Sequence, residues 1–342
     1  MKRSCVVWLL LLLVLVGCAG KSEPSWVEDE VSFVADGLTI HGTYRHQRDA
    51  APAPAALLIS ESGRTDRNGD NAVAGPVGNM RQLAEYLSGH GVASLRYDKV
   101  GTGATGLGPY ASKPAEVGSA VYTTGARAAL GFLAGQPGTD KARLSAYGLG
   151  EGATHVMALA TDTAAAAPKL HSLALLQPLP GRYLDLITAR VQNDVAAAVK
   201  QGAKTQQQAD DVVAAWTAAV TQVRADGTLP PGQLPDGLSA ILNPGNAKAV
   251  LEADAIDPIA EAAKVAAGTP VLLSCSDSDG QANCTDMKPL AAALAHTALT
   301  LVELKGVNHV LRDDPTDNVA NYVKPGPLSP QLTAALDQFV SR

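Results

Sequence analysis

The chain has 342 residues, 46% of them hydrophobic and 18% charged, with a formal net charge of −6. That is enough for one sizeable core with room for an insertion, and the acidic balance argues against a nucleic-acid binder, which needs a clustered basic face. Phe and Trp are scarce while Ala and Gly abound, so small aliphatic side chains are expected to build the core.

Lys2 and Arg3 precede an apolar run, Val6 to Val16, too short to span a bilayer comfortably. Residues 1–17 therefore read as an export signal. The run ends in Leu15-Val16-Gly17-Cys18, which resembles the lipobox of bacterial lipoproteins. That likeness implies cleavage before Cys18, a lipid such as palmitate on it, and a protein exported and anchored to the bacterial cell membrane. Residues 18–30 would be the lipidated cysteine and its tether, and residues 31–342 the folded domain.

Val31 to Ala35 and Leu38 to Arg45, joined by Asp36-Gly37, predict a hairpin. Six further strands follow at Ala55 to Ser60, Val92 to Arg96, Arg143 to Tyr147, Ser172 to Leu176, Pro270 to Ser274 and Leu299 to Leu304. These are continuous apolar runs, as expected of parallel strands covered on both faces. Helices are predicted at Asn79 to Ser88, Ser119 to Leu133, Gly152 to Ala160, Met287 to Ala295 and Leu328 to Val340. From about residue 180 to 268 the alternation breaks into an Ala- and Gln-rich helical stretch that reads as an inserted lid. Within it Val212, Trp216, Val220 and Val223 form an apolar stripe. The stripe either packs onto the main domain or lines part of a pocket for an acyl chain.

Ala146-Tyr147-Gly148-Leu149-Gly150-Glu151-Gly152 has the form of a strand-to-helix elbow, but a glycine stands where G-x-S-x-G carries its serine. Ser62-Gly63-Arg64-Thr65-Asp66-Arg67-Asn68-Gly69-Asp70-Asn71 follows the third strand, Arg96-Tyr97-Asp98-Lys99-Val100-Gly101-Thr102-Gly103 ends the fourth, and Gly306-Val307-Asn308-His309 follows the eighth. In this order and spacing the motifs resemble the α/β-hydrolase superfamily, and within it exported esterases and serine aminopeptidase-like (S33-type) proteins. The resemblance runs from Val31 almost to the C-terminus. It implies an α/β fold with an eight-stranded, mostly parallel sheet flanked by helices and an inserted helical lid.

The same resemblance places nucleophile, acid and histidine at Gly150, Asp279 and His309, with Asp277 as the rival acid. Asp279 would hold the imidazole tautomer and His309 would act as general base. The oxyanion hole would use backbone N–H groups of Glu151 and of Ser62 or Gly63. This chain departs from the family at Glu61, where glycine is usual, and at Arg64, where proline is. A carboxylate near the hole opposes an oxyanion, whereas Arg64 would draw an anion. Cys5 lies in the signal and Cys18 carries lipid, so in an exported setting Cys275 and Cys284 are expected to form a disulfide around the acid loop.

Two patterns are decoys. Gly101-Thr102-Gly103-Ala104-Thr105-Gly106 matches a dinucleotide fingerprint, but Pro109 and Pro114 follow instead of a helix start, so a flexible loop beside the pocket is expected. Asp277-Ser278-Asp279-Gly280 lacks the remaining ligands of a calcium loop. No metal, cofactor or nucleotide is expected. The expectation is a lipid-anchored protein of the carboxylic-ester or amide hydrolase type, catalytically impaired by the missing serine. The alternative is a non-catalytic pseudoenzyme. Either would take a small, partly apolar, ester- or amide-like ligand.

Overall fold

The structure, a computed structural model, describes residues 26–48 and 51–341. The signal segment, Cys18 and residues 18–25 of the tether lie outside the described residues. Eight strands form one sheet: β1 (Trp26–Ala35), β2 (Leu38–Gln47), β3 (Ala53–Ile59), β4 (Ala93–Tyr97), β5 (Thr139–Leu149), β6 (Ser172–Leu176), β7 (Pro270–Ser276) and β8 (Ala298–Leu304). Their spatial order is β1-β2-β4-β3-β5-β6-β7-β8. The β1–β2 and β2–β4 pairs are antiparallel and the remainder are parallel.

The continuous apolar strands divide their side chains between two cores, because successive residues of a strand face opposite ways. In β3, Ala55, Leu57 and Ile59 enter one cluster while Ala56 and Leu58 enter the other. The first cluster is closed by Leu130 and Leu133 of α2 (Ser119–Ala134) and by Val156 and Met157 of α3 (Glu151–Ala160). The second is closed by Leu83 and Leu87 of α1 (Asn79–Gly89) and by Leu336 and Phe339 of α9 (Pro330–Val340).

The first strand starts at Trp26, so residues 26–30, expected to end the tether, are strand. Its acidic opening is fixed by distant cations: Glu28 accepts from Arg96 at 2.7 Å and Glu30 from Arg67 at 2.6 Å. Arg67 also donates to Asp98 at 2.8 Å, and Arg96 to Asn68 at 2.7 Å. The loops after β3 and β4 are thus fastened to each other and to the sheet. The 101–106 loop is no loose flap either, since Ala104 N–H donates to Asp98 at 2.8 Å and Thr105 Oγ1 to the Asp98 carbonyl at 2.9 Å.

Between β6 and β7 the chain makes a helical excursion through α4 (Tyr183–Lys200), α5 (Gln206–Asp226), α6 (Ala247–Ala255) and α7 (Pro258–Ala262), and α8 (Lys288–Ala293) follows β7. A Thr205/Gln208 capping box starts α5 and Gly227, at φ 76°, ends it. Val212, Trp216, Val220 and Val223 pack on Leu184, Val191 and Val250 in a core belonging to the excursion itself. This corrects both readings of the stripe: it neither packs chiefly onto the main domain nor lines the cavity beside the site. The excursion is pinned by Asp254, buried from solvent, which accepts from Arg224 at 2.8 Å and from Arg182 at 3.1 Å. Among the described residues no helix is long and apolar enough to cross a membrane.

Candidate active site

The elbow joins β5 to α3 at Gly150, whose φ of 54° and ψ of −121° belong to the strained turn that presents a nucleophile. Its flanking glycines are required by close approach: a Cβ on Gly152 would run into the Ile59 carbonyl, and one on Gly148 into the backbone of Gly152. These contacts require glycine at 148 and 152 and leave Gly150 at the centre of the turn.

The space a side chain at Gly150 would fill is taken by Glu61, two residues beyond the end of β3. A Cβ built on Gly150 would lie 1.8 Å from Glu61 Oε2. That oxygen is 2.5 Å from His309 Nε2, while His309 Nδ1 is 2.8 Å from Asp279 Oδ2. Glu61 Oε1 accepts from Ser62 N–H at 2.6 Å and from Glu151 N–H at 3.5 Å. A single carboxylate thus lies against Gly150 and His309 with one oxygen and accepts from the Ser62 and Glu151 N–H groups with the other. Lys99 fastens the loop from behind, donating from Nζ to the Glu61 carbonyl and, at 3.5 Å, to that of Ser60.

Both imidazole nitrogens face carboxylates, which only the doubly protonated ring can satisfy by donation. Burial opposes charge on His309, yet Asp279 and Glu61 together raise its pKa well above the ordinary value. For Glu61, burial pulls upward, but the His309 charge and hydrogen bond, the Ser62 N–H and Lys99 bring the carboxyl down to about 2. Solvent reaches little of the relay: the side chains of His309, Asp279 and Glu61 are 2%, 0% and 16% exposed.

Asp279 is held on all sides. Its Oδ2 also accepts from Gln177 Nε2 at 2.8 Å, and Oδ1 accepts from the N–H groups of Gln281 at 2.7 Å and Ala282 at 3.1 Å. Its rival Asp277 points elsewhere, accepting from Gly306 N–H at 2.8 Å and Ser278 Oγ at 3.0 Å. Cys275 and Cys284 form a disulfide across this loop. Gln177, absent from the sequence reading, follows β6 at φ 41°, a left-handed position rare for a non-glycine residue; no motif marks it.

Of the three oxyanion candidates, Ser62 and Glu151 direct N–H groups at one point, and Gly63 does not. The Gly63 N–H donates instead to Glu151 Oε2 at 3.3 Å, in a turn where Gly63 takes φ 60°. Arg64 is exposed and lays its side chain beside Gly101. Beside the site a cavity of about 260 Å³ lies between the main sheet and the helical excursion, lined among others by Ser62, Glu151, Tyr122, Tyr183, Val250 and Ile256.

No family model and no curated protein matches this sequence. Solved structures do match the fold. An esterase of Pyrococcus furiosus aligns with a TM-score of 0.54 at 13% identity, covering 93% of this chain and 91% of its own. An esterase of Butyrivibrio proteoclasticus aligns at 0.54 and 15% identity, covering 92% and 99%. A dienelactone hydrolase-like promiscuous phosphotriesterase from metagenomic libraries aligns at 0.50 and 13% identity, covering 92% and 96%. The chain has the α/β-hydrolase fold, with an eight-stranded, mostly parallel sheet flanked by helices.

Proposed function

We propose that this chain is an exported, lipid-anchored protein of the carboxylic-ester or amide hydrolase type that has lost serine-dependent acyl transfer and keeps a site for a small, partly apolar ligand. One observation carries the reading: the Glu61 carboxylate fills the room of a nucleophile side chain at Gly150 while bonded to His309. Removing the serine of such a triad costs about a million-fold in turnover, or about 8 kcal/mol of barrier. Here the oxyanion donors are also engaged. The lipid anchor rests on the lipobox around Cys18. A non-catalytic binding protein is the second reading, supported by a relay in which Glu61, His309 and Asp279 are hydrogen-bonded to one another.

The full chain in detergent should resist fluorophosphonate labelling and release p-nitrophenol from p-nitrophenyl butyrate no faster than its His309→Ala variant. Stoichiometric labelling, or clear His309-dependent turnover, contradicts the loss of serine chemistry. Cells fed tritiated palmitate should label the protein, and Cys18→Ala should abolish the label; label surviving that change contradicts the anchor.

A further inference from the structure

We propose that Glu61 is itself a covalent nucleophile, transferred from the elbow to the facing loop, and that it acts on small apolar molecules bearing an electrophilic saturated carbon, such as alkyl halides. The inference rests on the loss of serine chemistry proposed above and assigns the site an activity of its own. Three features of the geometry lead to it. Glu61 Oε2 lies against Gly150, beside His309. Oε1 sits on the Ser62 and Glu151 N–H groups, where a developing oxyanion would be stabilised. Lys99 holds the Glu61 carbonyl, so the side chain is aimed inward by its own backbone.

The nucleophile's chemistry selects the substrate. A carboxylate attacking an ester would have to expel an alkoxide, whose conjugate acid, like water at about 16, is far weaker than a carboxylic acid. The tetrahedral adduct would return to reactants. At a saturated carbon carrying halide, the leaving group is the weaker base and displacement runs forward. Oε2 attacks the carbon, the carbon–halogen bond breaks, and halide departs with the electron pair. The His309 proton, no longer shared with a carboxylate, leaves to solvent. Neutral His309 then takes a proton from water as its oxygen attacks Cδ of the glutamyl ester, and Oε1 carries the charge on the two N–H groups. Collapse expels the alcohol, protonated by His309, and regenerates Glu61. The sum is alkyl halide plus water giving alcohol plus hydrogen halide, with no further reactant. The neighbouring cavity of about 260 Å³ accommodates a chain of a few carbons.

The test incubates the full chain with 1-bromobutane. Intact mass and peptide mapping should place one butyl group on Glu61 in His309→Gln, at least tenfold above its steady-state level in the wild type, and none in Glu61→Gln. The wild type, turned over in heavy-oxygen water, should release butanol and carry the heavy isotope in the Glu61 carboxyl; this arm decides the matter should His309→Gln fail to fold. No butyl on Glu61 together with no isotope in its carboxyl overturns the proposal, as does alkylation at another residue alone. That failure leaves the absence of serine chemistry untouched, whereas fluorophosphonate labelling would strike the earlier reading without altering the mass of Glu61.

Discussion

Gly150→Ser places a Cβ 1.8 Å from Glu61 Oε2, so serine and carboxylate cannot both stay. Evicting Glu61 breaks its contacts with His309 and Ser62, each a hydrogen bond to an ionised group worth about 1.5–3 kcal/mol. A serine at φ 54° adds strain of about 1–3 kcal/mol. Glu61→Gly loses the same contacts, about 3–5 kcal/mol for a broken buried pair. In the double variant the contacts are lost only once. It should therefore be more stable than the sum of the single changes predicts by about 3 kcal/mol or more. Urea unfolding of the four proteins measures this coupling. The double variant, with its oxyanion N–H groups free again, should also react with fluorophosphonate. Additivity within about 0.5 kcal/mol would refute the claim that the two residues compete for one space.

Two further predictions concern the relay. Glu61 has its carboxyl at about 2 instead of 4.5, so the stability it contributes is present above pH 4.5 and lost as pH falls toward 2. It amounts to about 3 kcal/mol at neutral pH. Glu61→Gln should flatten that acid limb in urea midpoints taken across pH, and a limb parallel to the wild type contradicts the pairing. His309, with its pKa raised, contributes fully below about 6.5 and loses the contribution as pH rises through the folded value, so the pair stabilises most between these limits. Asp279→Asn should cost about 3–5 kcal/mol by leaving the buried, charged imidazole without the opposite charge of Asp279. Asp277→Asn, whose exposed carboxylate accepts from Gly306 N–H and Ser278 Oγ, should shift the urea midpoint far less, and equal losses would mean the wrong acid has been assigned.

The apolar strands were legible because they are covered on both faces, which leaves an unbroken hydrophobic run in the sequence. The start of β1 was not. Trp26 to Glu30 reads as a polar tether, and its acids show themselves as part of a sheet edge through partners elsewhere in the chain, Arg45, His46, Arg67 and Arg96. In the site, the order of motifs brought out Gly150, Asp279 and His309, and the structure draws Asp279 and His309 together. Glu61 was legible as a departure from the family but not as an occupant. The available signal was reciprocity: Glu61 stands where the resemblance implies a glycine, and Gly150 on the facing loop where it implies a serine. That the two changes meet is a matter of distance, which no single segment encodes. Gln177 and the turn at Gly63 depend on backbone angles without a residue signature.

The contact between Glu61 and His309 can be measured directly by nitrogen-edited NMR titration of the His309 ring in the wild type and in Glu61→Gln. The account predicts a ring protonated on both nitrogens at pH 7 in the wild type, with its midpoint lowered by the substitution. A neutral His309 at pH 7, or a midpoint indifferent to the loss of the Glu61 charge, would contradict it.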